Sequence, residues 1–289
     1  MFVEFGRAGR RLVCAAPFLL CSLLIICSLL IGGVASRPVS AAPADDQTDI
    51  LPASLQPILG ERLSFHGWWF SLPVGSGWIE VKELIEINGR RAYHIEAQGH
   101  SNELLSSFYP IHDVVHSYLD ADTLQPLRFE KHQREGHYRA EEVVTFDYAT
   151  HLATYHSLLN ESTKTIPIPP DVQDLISALY WFRAQPLVPN HTTTLNLYTD
   201  EKIYQTRVVI GPLTSLELLK RGTFRCVVVE PKASFKGLLV KRGRVWGHIT
   251  ADAARMPILL KMTTPWGPMS AVLDHDSLSK RQAPSVGVP

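Results

Sequence analysis

Residues 166–187 read IPIPPDVQDLISALYWFRAQPL, and the reading of this stretch decides the fold. Val172, Leu175, Ile176, Leu179 and Phe182 recur at helical spacing and form one apolar stripe. Asp171 follows the prolines at 167, 169 and 170 and is placed to cap the first turn, with Asp174 three residues on to complement the helix dipole. Pro186 and Pro189 stop the helix. Trp181 falls opposite the stripe. A helix that is apolar on one side and carries a large aromatic on the other suits an element covered by sheet over much of its circumference. The stretch therefore predicts one central helix in the hollow of a curved sheet, with an ordinary helix laid across one face as the alternative.

Outward from the helix, both flanks read as short β-type runs separated by turns. Before it stand Arg62–Phe70, Trp78–Ile87, Arg91–Ala97, Val114–Leu119, Pro126–Lys131, Tyr138–Asp147 and Leu152–Leu158. Asn88-Gly89 is the strongest hairpin signal, and Gly75-Ser76-Gly77 reads as another turn. After it come Thr192–Tyr198, Ile203–Ile210, Thr214–Leu219, Phe224–Glu230, Gly243–Thr250, Pro257–Thr263 and Met269–Asp274. Alternation with hairpin turns predicts an antiparallel meander. The region between the two runs is apolar rather than linker-like, so residues 60–276 are expected to form a single β-rich domain.

The ends differ in kind. Basic residues 7–11 precede a nearly continuous apolar run over residues 12–34, and Val39-Ser40-Ala41 matches a small-residue cleavage pattern. Residues 1–41 therefore read as an export signal, or as an uncleaved membrane anchor given the length of the run. Either route predicts a periplasmic body, tethered to the inner membrane if the anchor stays. Residues 42–59 read as a flexible linker and 277–289 as a loose tail.

The chain of 289 residues carries 28 basic and 28 acidic side chains, and residues 1–41 hold four of the former and one of the latter. The remaining body is slightly acidic, which argues against nucleic acid as a partner. Three of the four cysteines lie in the apolar run, leaving Cys226 with no partner for an internal disulfide.

No phosphate-cradling glycine loop, nucleophile elbow or paired-cysteine motif occurs. His112 and His116 have the i, i+4 spacing of a zinc helix, but Val114, Val115 and Pro110 make the segment a strand, where four residues span about 13 Å. No metal, cofactor or catalytic residue is assigned. The basic run KGLLVKRGR, with Lys236, Lys241, Arg242 and Arg244, is a candidate surface for anionic headgroups or an acidic partner.

Between Gly60 and about Leu273 the chain resembles an exported bacterial family, domain of unknown function 3108. The resemblance is carried by Gly60-Glu61-Arg62, by Gly89-Arg90 with Tyr93, and by SFYPIHDVVHSYLDADTLQPLRFEKHQREGHYR from Ser107. VTFD at Val144, the helix stretch, GTFRCVVVEP from Gly222 and KRGRVWGHITADAARMPILLKM from Lys241 continue it. The chain departs from that pattern at His112 and His116, where Arg and Glu are expected. The resemblance implies an envelope location and a mainly antiparallel β fold similar to the half-barrels of lipoprotein carriers. It supplies no catalytic residue.

These observations lead to one expectation about function and one alternative. The first is a non-catalytic envelope protein that binds or carries an apolar or lipid-like amphiphile beside the central helix, lined by Trp68, Trp69, Phe70, Trp78, Leu179, Tyr180 and Trp181. The second is a structural or assembly factor of the envelope that acts through a protein partner, using an open sheet edge or the basic run.

Overall fold

The computed structural model describes residues 56–219, 221–232, 244–264 and 267–277. The export segment, most of the linker, the tail beyond Ser277, and Lys236, Lys241 and Arg242 lie outside the described residues.

Among the described residues fifteen strands form one sheet. The first half comprises β1 (Arg62–Trp69), β2 (Leu72–Ile87), β3 (Arg90–Ser101), a short helix α1 (Glu103–Ser106), β4 (Ile111–Asp120), β5 (Pro126–Glu135), β6 (Tyr138–Asp147), β7 (Leu152–Ser157) and β8 (Thr163–Pro167). The second comprises β9 (Val172–Gln173), α2 (Leu175–Ala184), β10 (Thr192–Thr199), β11 (Lys202–Leu218), β12 (Gly222–Lys232), β13 (Arg244–Thr250), β14 (Pro257–Thr264) and β15 (Gly267–Leu273). The order is β8-β7-β6-β5-β4-β3-β2-β1-β15-β14-β13-β12-β11-β10-β9. Every pairing is antiparallel except that of β9 with β10. The two edges, β8 and β9, are neighbours in the chain.

Side chains show how far the sheet bends. Phe146 on β6 and Tyr198 on β10 stand eleven places apart in the strand order, yet their rings meet edge to face at 5.5 Å. Lys164 on β8 forms an ion pair with Glu201 in the β10–β11 turn. Such contacts require the sheet to curl until its edges approach, as a barrel left open along one seam.

The expected helix is present but shorter than the sequence suggested. Val172 and Gln173 pair with Asn196 and Leu197 instead of starting the helix, and Asp171 accepts the Asn196 amide at 2.7 Å. The cap is Asp174, which accepts from the backbone of Ile176 and Ser177, while Ser177 Oγ accepts from the Asp174 N–H. Asp174 also accepts from Ser117 Oγ of β4 at 2.5 Å, so the same carboxylate docks the helix on the sheet. At the other end Arg183 forms a buried two-pronged ion pair with Glu61, at 2.7 and 2.8 Å. Arg255, from the β13–β14 turn, donates to the carbonyls of Arg183 and Gln185. The helix is thus held at both ends by groups far along the chain, Ser117 at one and Glu61 and Arg255 at the other.

Two apolar clusters meet on α2. Ile176 and Tyr180 join Ile95, Leu119, Phe129, Val144, Phe146 and Tyr198 in the larger one. Phe182 joins Leu195, Leu197, Val208, Val227 and Ile249 in the other, flanked by Trp181. Full burial of a side chain of this size contributes on the order of 1.5–3 kcal/mol, so the sheet grips α2 on two sides.

Gly75-Ser76-Gly77 is not a turn; it lies inside β2. A Cβ on Gly75 would sit 2.2 Å from the His100 carbonyl oxygen, and one on Gly77 2.6 Å from that of Gln98. These glycines allow β2 and β3 to approach closely. The two runs expected at Ile203–Ile210 and Thr214–Leu219 form one strand, β11, with an irregularity between Ile210 and Leu213.

Candidate functional site

The inner face of β4–β7 changes character along its length. In one cross-strand row Ser117, Phe129, Val144 and Tyr155 stand side by side. Two residues on, towards the β5–β6 turn, the row is Val115, Lys131, Glu142 and Ser157. The next holds Asp113, Gln133 and Ala140. Because side chains alternate faces along a strand, all of these project to the same side, and all are buried. The result is an interior that is apolar beside α2 and charged at the far end.

Lys131 lies 2.9 Å from Glu142 and 3.9 Å from Asp200, which reaches it from the β10–β11 turn. Burial works to lower the Lys131 value, but the two carboxylates outweigh it and the net shift is upward. Burial pushes Glu142 and Asp200 up against the pull of Lys131.

Asp113 and Glu135 form a second group. Burial, then the neighbouring Asp113 charge, raises Glu135 to about 9, and burial raises Asp113 as well. At neutral pH the pair holds a proton between them. Gln133 Nε2 donates to Glu135 at 2.8 Å, and Asp113 accepts from the Arg134 N–H at 2.9 Å. The shared proton serves the facing carboxyl oxygens. Among the described residues, Gln133 Oε1 and the Tyr198 hydroxyl remain buried without a hydrogen-bond partner, an arrangement that calls for a physical explanation.

The structure divides the residues expected to line one site. Leu179 and Tyr180 adjoin the larger core cluster, and Trp181 packs against Phe182 with ring centroids 5.5 Å apart. Trp68 and Trp69 instead form a small separate cluster with Val74 and Leu105 of α1. Phe70 is exposed in the β1–β2 turn at positive φ. Trp78 lies on the outer face of β2, with the Arg62 guanidinium 4.0 Å from its ring centroid. The helix residues thus reach the interior, whereas the four aromatics of β1, β2 and the turn between them do not join them. Arg244 is held by Glu230 and lies over Trp246 at 4.8 Å.

Sequence alone assigns none of Asp113, Lys131, Gln133, Glu135 and Glu142 to a site. A signal existed: Phe129, Lys131, Gln133 and Glu135 share parity on one strand, so an inward Phe129 brings three polar side chains in with it.

On the outer face His112 and His116 lie on β4, separated as a strand requires. His116 instead meets residues of β3. Its Nδ1 is 3.0 Å from His94 Nε2, and it stands directly opposite Glu96. One ligand atom each from His94, Glu96 and His116 lies within 4.8 Å of the others. His94 Nδ1 is 3.2 Å from the Glu83 carboxylate, and its ring stacks on Tyr118 at 4.7 Å.

Residues 62–274 match the family model described as a protein of unknown function, DUF3108. No curated protein matches. A solved structure, described as a β-barrel-like protein of domain of unknown function DUF1849 from Brucella abortus, is similar in fold with a TM-score of 0.50 at 10% identity. The similarity covers 76% of this chain and 98% of that one.

Proposed function

We propose, for a chain that belongs to the DUF3108 family of proteins of unknown function, that it is an exported, non-catalytic binding protein of the cell envelope. It holds an amphiphilic molecule within the curl of the sheet. The apolar part lies along Phe129, Val144, Phe146 and Tyr155, and the polar end meets the charged rows. The observation that carries this reading is the graded inner face, together with the buried Gln133 Oε1 and Tyr198 hydroxyl, which no group among the described residues satisfies. With Glu135 protonated, Asp113, Glu142 and Asp200 outnumber Lys131, so the polar end favours a head that donates hydrogen bonds, an amine or a polyol, over a carboxylate.

The test is displacement of a fluorescent amphiphile from the purified protein by ligands that share one alkyl tail and differ in head. Amine and polyol heads should displace it at concentrations at least about tenfold lower than a carboxylate head, a difference of about 1.4 kcal/mol. Equal displacement by all heads, or none by any, would remove the proposal.

A second reading, an assembly factor working through a protein partner, is favoured by β8. This edge strand pairs on one side only and leaves Thr163, Lys164, Thr165 and Pro167 exposed. An extended partner segment could add to it. A photocrosslinker at Thr165 that captures a single partner in cells would support that reading, and its silence there would count against it.

A further inference from the structure

We propose that His94, Glu96 and His116 form a binding site for a divalent first-row transition ion, zinc in the first instance, on the outer face of β3 and β4. The site stands apart from the amphiphile reading, since it occupies the opposite face of the sheet.

The argument begins with cross-strand pairing. Glu96 and His116 are directly opposed, and His94 is two residues from Glu96 on the same face, so three ligands of the two kinds suited to zinc, imidazole and carboxylate, converge from two strands. Zinc–nitrogen bonds of about 2.1 Å at tetrahedral angles separate two ligand nitrogens by roughly 3.4 Å. His94 Nε2 and His116 Nδ1 already lie 3.0 Å apart, and the carboxylate falls within the 4.8 Å limit of the group. Small side-chain rotations close the coordination.

The surroundings fit the same role. The Glu83 carboxylate accepts from His94 Nδ1, which leaves the Nε2 lone pair aimed at the site, the arrangement that orients metal-bound histidines. Tyr118 fixes the plane of the His94 ring by stacking. The side chains of His94 and Glu96 are each only 14% exposed, and all three ligands sit on strands rather than on loops. Lys82, 3.7 Å from Glu96, is the competing cation. Its side chain is 37% exposed and can turn to water when an ion enters. Gln98 donates to the other Glu96 oxygen and holds the carboxylate in place. His132 approaches His116 edge-on at 6.1 Å, but its Nδ1 is engaged by Glu141 and is not assigned to the ion. Three protein ligands leave a fourth position for water, so the bound ion would exchange and accept an outside ligand.

The test is competition between untagged protein and a chromophoric chelator for Zn²⁺, with Co²⁺ absorption as a second readout. One equivalent of zinc should bind with micromolar or tighter affinity, and Co²⁺ should give the visible bands of a nitrogen–oxygen site. His94→Gln and His116→Gln should each weaken binding by at least about tenfold and shift the Co²⁺ bands, Glu83→Gln by about tenfold, because ligand-orienting partners matter at this level. His112→Gln should leave both readouts unchanged. Circular dichroism of the metal-free variants should match the parent, which separates lost ligation from lost folding. Unchanged affinity in the His94→Gln/His116→Gln double variant, or failure of the parent to compete at all, would overturn the assignment.

Discussion

The two faces of β3–β6 are built from alternate residues of the same strands, yet they handle charge in opposite ways. On the outer face His94, Glu96, His116, Glu130 and His132 lie in partial contact with water, and their ion pairs are open to solvent. On the inner face Asp113, Lys131, Gln133, Glu135 and Glu142 are buried, so each charge there must be matched by a neighbour or neutralised. The comparison teaches that parity along a strand, more than residue type, decides what a polar side chain costs and what it can do.

The strongest way to break this contrast is to remove an inner counter-charge. Lys131→Met should destabilise the protein by about 3–5 kcal/mol in urea unfolding, because Glu142 and Asp200 then face each other without a cation. A loss below about 1 kcal/mol would mean that water reaches the pair freely. Next in size is Asp174→Ala, which removes a helix cap and strands the Ser117 hydroxyl. A loss of about 2 kcal/mol in the same assay is expected.

Glu135 sharpens the comparison through pH. Its folded value of about 9 lies above its ordinary 4.5, so the folded state keeps a proton that the unfolded chain releases. That contribution is fully present below about 4.5 and is lost as pH rises towards 9. Glu135→Gln should therefore flatten the decline in melting temperature across that window and be more stable than the parent at pH 8. A parent and variant with parallel profiles would contradict the buried, proton-sharing pair. The smallest effect belongs to the outer face: without added metal, His116→Ala should change stability by no more than about 0.5 kcal/mol.

Much of the fold was legible in the sequence. The mainly β character, the curved sheet and the helix within it follow from turn signals and one apolar stripe. The helix cap and the glycine segment differ from the sequence reading for one reason, since each is decided by groups far along the chain. Asp171 and Asp174 are both able caps, and the choice falls to Ser117 on β4 and Asn196 on β10. Gly75 and Gly77 look like turn residues because the close approach of the β3 backbone is invisible locally. β9 is two residues long and β8 is mostly exposed, so neither carries an alternation to detect.

The site was less legible than the fold. Trp68, Trp69 and Phe70 are bulky and apolar, but Trp68 and Trp69 pack against Val74 and Leu105 and Phe70 is exposed, contacts that their own stretch of sequence does not reveal. The charged rows inside β4–β7 were passed over because single carboxylates and lysines on strands are usually solvated. His116 was weighed against His112 along its own strand, while its partners His94 and Glu96 lie across the ladder.

The central claim is that the inner face, and not the outer one, receives an amphiphile. The most direct measurement is photolabelling of the purified protein with an amine-headed alkyl diazirine, followed by peptide mapping. Labels on β5–β7 and β10 at Phe129, Phe146, Tyr155 and Tyr198, reduced by Tyr198→Ala, are the predicted result. Labels confined to the outer face of β2 around Trp78, or spread without preference over the surface, would contradict it.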